Sequence, residues 1–259
     1  MMITVQDILT FLEGFAPYEL AESWDNVGLL AGDRVQPVSS VLCALDITEQ
    51  VVEEAAALGA QLIVAHHPAI FTSVSRVTAD DTTGRLLRAA IRNEIALICM
   101  HTNADCAQGG VNDALAAALF LTGVSNMEAG ENGMLGRVGT LPREMQPEEF
   151  VRYVKDCLNA GGVRYCDGGR AIRRVAVGGG ACGKMMDQAL AKGAEAFVIG
   201  DCSYDLMQRA QALGLTLVDA GHFPTENPMT AVFAEQIRGA FPKLTVKTSA
   251  KHADCIQFI

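Results

Sequence analysis

Four of the five histidines in this 259-residue chain fall in three places with one local design. Each is an apolar run with a histidine where it ends, and in two of the three an acid stands close by. The places are His66-His67 after Leu62-Ile63-Val64-Ala65, His101 with Asp105, and His222 with Glu226. Imidazole and carboxylate are donors that suit zinc, iron and manganese. The three places therefore read as the ligands of one divalent-metal site holding two ions. On a regular strand His66 and His67 would point to opposite faces. Both can serve one site only where the strand ends and the backbone turns, and Pro68 fits that need by keeping His67 out of the helical region. The bland alternative for a lone strand histidine is a hydrogen-bonded core residue. For Asp105 it is a turn or cap role, and for Glu226 a solvated loop acid. His101 reads equally as a ligand or as a partner that orients one. His252 lacks such a setting and stands outside the group.

A second motif competes with the histidines. Gly178-Gly179-Gly180-Ala181-Cys182-Gly183 satisfies G-x-G-x-x-G after a predicted strand and before a helix. It reads as a tight turn with close helix packing, as a phosphate cradle built on Gly178, Gly180 and Gly183, or as a dinucleotide site of an oxidoreductase. The last reading leaves the histidines unexplained, and Glu195 or Asp201 is only loosely placed for a ribose.

The elements that must position these residues follow from the hydrophobic pattern. A helix is predicted over 3–16, ended by Pro17, and then comes Ser23-Trp24-Asp25-Asn26-Val27-Gly28, which holds the only tryptophan. Strands are predicted at 41–45, 62–65 and 96–100, alternating with helices at 48–58, 83–92 and 110–120. That βαβα order predicts a mostly parallel sheet covered by helices. All three histidine segments then lie at carboxyl ends of parallel strands, where open α/β sheets place ligands. The second half repeats the plan. Displaced by 134 positions, Val41 meets Val175, Ala55 meets Ala189, Gly59-Ala60 meets Gly193-Ala194, and His66-His67 meets Gly200-Asp201. This reads as an internal duplication giving two similar α/β domains with flanking helices. Glycine, serine and asparagine break the periodicity between 122 and 135, so the domains are predicted as 1–125 and 126–259. A strand at 215–218, a helix from Pro228 to about Ala240 and a strand at 245–248 complete the chain.

Composition narrows the function classes. Half the residues are hydrophobic and 19% are charged, with a net charge of −10. An acidic surface repels phosphate backbones and anionic lipid, so nucleic acid and membranes are poor partners. No apolar segment has the length of a membrane span, and the N-terminus lacks the pattern of a signal peptide. The eight cysteines form no C-x-x-C pair and read as reduced thiols of a cytoplasmic protein.

Trp24-Asp25-Asn26-Val27-Gly28-Leu29, His66-His67-Pro68 and His101-Thr102-Asn103-Ala104-Asp105 followed by Gly109-Gly110-Val111-Asn112 carry a resemblance. So do Gly136-Arg137-Val138-Gly139, the loop at 178–183, Gly200-Asp201, and Gly221-His222 with Glu226. Together they resemble the NIF-three-like dinuclear metal-centre family, whose members are often labelled GTP cyclohydrolase I type 2 homologs. The resemblance implies two divalent ions (zinc, iron or manganese) on His66, His67, Asp105, His222 and Glu226. It pairs His67 with Asp105 on one ion and His66 with His222 on the other, bridged by Glu226. It also implies two similar α/β domains with the site in the cleft between them, and a toroidal homohexamer made from dimers. Longer members carry an inserted domain for which this chain has no room. The C-terminal Ala253 to Ile259 departs from the usual ending, and Asp205 stands where some members carry a histidine. The function implied is metal-dependent hydrolysis of a small molecule, with a purine nucleotide ring opened at C8 as the named example. The alternative is a non-catalytic protein that stores, senses or delivers metal.

Overall fold

Short apolar runs set the frame of the molecule. Leu62–Ala65, Ala96–Cys99, Ala196–Ile199 and Thr216–Asp219 are strands buried along their whole length, as parallel strands covered on both faces must be. The computed structural model describes residues 2–259. It divides into two units, one reaching Ala107 and joined by Met229–Ala253, the other formed by Gln108–Pro228 with Asp254–Ile259.

The first unit opens with α1 (Val5–Phe15), started by a capping box in which Thr4 and Asp7 each satisfy the other's backbone N–H. There follow β1 (Gly28–Ala31), β2 (Ser40–Ala44), α2 (Glu49–Ala57), β3 (Leu62–Ala65), α3 (Thr82–Arg92), β4 (Ala96–Cys99) and the five-residue α4 (Thr102–Cys106). The second unit contains α5 (Val111–Ala118), β5 (Thr122–Ala129), β6 (Leu135–Met145), α6 (Pro147–Cys157), β7 (Arg164–Cys166) and β8 (Ile172–Val177). A 3-10 turn at Cys182–Met185 leads to α7 (Met186–Ala191), then β9 (Ala196–Ile199), α8 (Tyr204–Ala212), β10 (Thr216–Asp219) and α9 (His222–Glu226). Last come α10 (Pro228–Ala240) and β11 (Thr245–Thr248).

The fold is mixed α/β. One sheet runs β1-β4-β3-β2-β11 and is parallel except at its β1 edge. The other runs β5-β6-β8-β9-β10-β7, with a parallel centre of β8, β9 and β10 and antiparallel flanks. Within it, β7-β10-β9-β8 repeats the order β1-β4-β3-β2, antiparallel edge included. The register repeats as well. Val41 pairs with Leu62 and Val175 with Ala196, both residues displaced by the same 134 positions. The duplication read from the sequence is therefore present in strand order and register. Each unit has its own core, one around Leu42, Val51, Ile63, Leu87 and Leu97, the other around Leu115, Phe150, Ile172, Val198 and Val218. Full burial of such a side chain stabilises the fold by about 1.5–3 kcal/mol.

The division of the chain differs from the expected single cut between 125 and 126 in two ways. The stretch 122–135, where the periodicity breaks, is β5 and the start of β6, and its glycines do hairpin work. Gly130 and Gly133 take positive φ (78° and 71°) in the turn, and Gly123 (60°) sits where the ladder shifts register. In addition, α10 and β11 belong with the first unit. β11 pairs in parallel with β2, and α10 buries Met229, Phe233, Ala234 and Ile237. A strand's pairing partner is set by the open edge it finds, so sequence order alone does not assign it.

Candidate metal centre

β3 stops at Ala65, and the amide of His67 donates to the carbonyl of Leu45 at 2.9 Å. The backbone leaves strand geometry at the two histidines, so their rings lie side by side with centroids 4.8 Å apart. β4 delivers His101, whose ring centroid is 5.1 Å from that of His66 and 5.5 Å from that of His67. One nitrogen of each of these three imidazoles lies within 4.8 Å of the others, close enough to hold a metal ion. α4 brings Asp105 to the same place, with Oδ1 3.6 Å from Nε2 of His66. His66 and Asp105 are buried; His67 and His101 are half-buried.

In the second unit β10 is followed by α9, and one helical turn places Nε2 of His222 3.0 Å from Oε2 of Glu226. Glu226 is buried and His222 half-buried. The loops around this pair are glycine for a steric reason. A Cβ on Gly180 (φ +63°) would lie 2.2 Å from Oε1 of Glu226 and 2.9 Å from Nε2 of His222. A Cβ on Gly200 would lie 2.8 Å from the backbone of His222.

The glycine loop that follows β8 is held by hydrogen bonds of its own. The N–H of Gly178 donates to the Val198 carbonyl at 2.9 Å, that of Gly179 to Oδ1 of Asn112 at 2.9 Å, and that of Gly180 to Oγ1 of Thr225 at 3.1 Å. These three N–H donors are thus engaged within the protein. At Gly183 a Cβ would meet Leu206 at 2.6 Å, so this glycine serves packing. The loop seats α9, which is the tight-turn alternative. Asn112 and Arg137, from two of the conspicuous sequence stretches, also serve the scaffold. Arg137 forms paired hydrogen bonds with Asp113, both at 2.9 Å.

The four candidate histidines share one further feature. Nδ1 of His66 lies 2.9 Å from the Met100 carbonyl, that of His67 2.7 Å from Asp46, that of His101 2.8 Å from Asp25, and that of His222 2.7 Å from Asp201. Carbonyls and carboxylates only accept, so Nδ1 of each ring carries a proton, which leaves Nε2 as the nitrogen that would face a metal ion. Histidines that bind metal are held in this way. Burial works to raise the pKa of Asp46, but hydrogen bonds from His252 and His67 hold it well below the usual carboxylate range. Asp25 behaves alike, with burial outweighed by His101 and Thr102. No orienting role for Asp46, Asp201 or His252 follows from the sequence alone. His252 donates from Nε2 to Oδ2 of Asp46 across 2.8 Å and so braces His67 from behind.

The donor set fits a divalent ion. It offers imidazoles of fixed tautomer beside buried carboxylates, whose burial demands positive charge. Among the described residues no helix is long and apolar enough to cross a membrane. The family model described as Duf34/NIF3 (NGG1p interacting factor 3) matches residues 3–254. A Clostridium perfringens protein named GTP cyclohydrolase 1 type 2 homolog is 36% identical over 242 residues, which is 90% of this chain and 91% of that protein. Among solved structures, a Staphylococcus aureus hypothetical protein is 29% identical with a TM-score of 0.93, covering 100% of both chains. A Bacillus cereus protein related to NIF3 is 27% identical with a TM-score of 0.91, covering 100% of this chain and 99% of that one.

Proposed function

The chain belongs to the Duf34/NIF3 family, and we propose that it holds two divalent ions per subunit and uses them to hydrolyse a small molecule. The ligands in this reading are His66, His67, Asp105, His222 and Glu226. The observation that carries it is the common anchoring of Nδ1 on the three ligand histidines, which leaves Nε2 to face the metal in each. The His66–Asp105 and His222–Glu226 separations, 3.6 and 3.0 Å, suit two donors that each lie about 2.0–2.2 Å from one ion. A divalent ion supplies Lewis-acid polarisation of the substrate and acidifies water. Asp46, Asp201 and the Met100 carbonyl keep the donor rings oriented. His101, its Nδ1 proton held by Asp25, offers a basic Nε2 that takes a proton during hydrolysis and returns it.

The name of the relatives, GTP cyclohydrolase 1 type 2 homolog, makes purine nucleotides the first substrate class to try, with ring opening as the reaction. Eight free cysteines suit a reducing compartment, and we place the protein in the cytoplasm as a homohexamer, a state that light scattering reads directly. A metal-handling protein is the second reading. It is favoured by the half-buried state of His67 and His222, which leaves those donors open to exchange.

Elemental analysis of protein purified without chelator or metal-binding tag tests the site. Close to two ions per subunit are expected, with a clear loss in His67→Ala and Glu226→Ala. Protein that takes up no zinc, iron or manganese overturns the proposal. Turnover of nucleotides that needs the metal distinguishes hydrolase from metal handler.

A further inference from the structure

The only tryptophan of the chain is not in a core. Trp24 is 58% exposed, and so is Phe71, which comes from a different segment. Their ring centroids are 5.8 Å apart with planes inclined at 57°. Both stand edge-on to His101, at 6.1 Å and 74° for Trp24 and 6.3 Å and 76° for Phe71. Single exposed apolar residues are ordinary. Two large aromatics that converge on one histidine of a metal-binding cluster are a different matter.

The pair is held in place by polar bonds. Asp25, next to Trp24, accepts from His101 and from the backbone and hydroxyl of Thr102. The Asn26 side chain donates to the carbonyl of Ile70 at 2.6 Å, which ties the segment of Trp24 to that of Phe71. This accounts for the Trp-Asp-Asn stretch. Asp25 orients the histidine, Asn26 fixes the neighbouring loop, and Trp24 is presented outward between them. Phe71 also lines a cavity of about 460 Å³ with Thr72, Ser73, Ser75, Arg76 and Thr78. That volume lies in the range of small-molecule sites. Its hydroxyl-rich wall would hydrogen-bond a sugar, while the aromatic faces would take a flat ring.

We infer that Trp24 and Phe71 form a stacking platform for the heteroaromatic ring of a nucleoside, with the ring set beside His101 and the sugar directed into the cavity next to Phe71. Aromatic faces stack on any base, so the platform selects flatness and polarity, not one base. The inference rests on the metal-site reading for what happens next to the ring, but not for ring binding itself.

Trp24 reports on its own site, since no other tryptophan contributes emission. The experiment titrates guanosine 5′-monophosphate, and ribose 5-phosphate as the ringless control, into metal-loaded protein while Trp24 emission is followed under red-edge excitation. Metal content is measured on the same samples. Saturable quenching by the nucleotide and none by the sugar phosphate are expected. Phe71→Ala should weaken the nucleotide roughly 5- to 150-fold, the range of one stacked base, and Phe71→Tyr should restore binding near the parent's. Phe71 is exposed, so both variants should keep the parent's circular dichroism. No saturable response, an equal response to ribose 5-phosphate, or an unchanged Phe71→Ala overturns the inference. So does emission that shifts only with protein concentration, which would mark the pair as a contact between copies. Metal-loaded protein without quenching sinks the platform alone. Quenching in protein that takes up no metal sinks the metal reading alone.

Discussion

At the scale of single residues, the proposed metal site turns on which nitrogen of each histidine is held. An imidazole free to rotate or exchange tautomers pays that freedom back on binding, and one pinned at Nδ1 by a carboxylate does not. Asp46 and Asp201 do this for His67 and His222, each across 21 positions of sequence. Loss of such a partner typically costs 10–100-fold in metal affinity. Asp46→Ala and Asp201→Ala should each weaken metal by about that factor in chelator competition, with little change in stoichiometry at saturating metal. Affinities equal to the parent's would remove the orienting role. The histidines were legible because they end apolar runs, which is a local signal. The role of their carboxylate partners was not, because nothing near Asp46 in sequence marks it, and Gly200-Asp201, though part of the family resemblance and set opposite His66-His67 by the 134-position overlay, does not say which ring it would hold.

At the scale of elements, the site depends on short helices seated by glycine. α4 and α9 are five residues long, too short to stand alone, and each follows the strand that lies between the antiparallel edge and the parallel centre of its sheet. The loop at 178–183 illustrates how one spacing admits several roles. G-x-G-x-x-G fits phosphate binding and also fits any turn whose neighbours come too close for a side chain, and only the neighbours decide. Gly180→Ala would force a Cβ into Glu226 and His222 and would strain a positive φ. The φ strain alone is worth about 1–3 kcal/mol. The expected outcome is a melting temperature lower by several degrees and metal affinity reduced in step. A variant that melts and binds like the parent would show that the loop has room this geometry denies.

At the scale of the whole molecule, the chain is a duplicated unit with an exchange at its end. Both halves carry the same order of four strands, yet β2 is flanked by β11 and β8 by β6. A chain ending at Pro228 would keep every candidate ligand and lose the strand that covers β2, together with the buried face of α10. Exposed parallel edges and apolar faces favour aggregation. That chain should be largely insoluble or lack a cooperative melt, although a single cut at 125 and 126 would leave its first half intact. A soluble, cooperatively melting 1–228 protein would argue that β11 is dispensable to the first unit.

The division of labour between sequence and tertiary structure follows from range. Buried strands, capped helices, the duplication and the histidines that end apolar runs are written in patterns a few residues long or in a fixed offset, and the sequence by itself determined them. The hairpin at 122–145, the membership of α10 and β11, the hydrogen bonds of the glycine loop and the carboxylates behind the histidines were decided only by the tertiary structure. Each depends on which groups meet across tens of residues, where edge pairing, steric room and hydrogen-bond partners come from the rest of the chain.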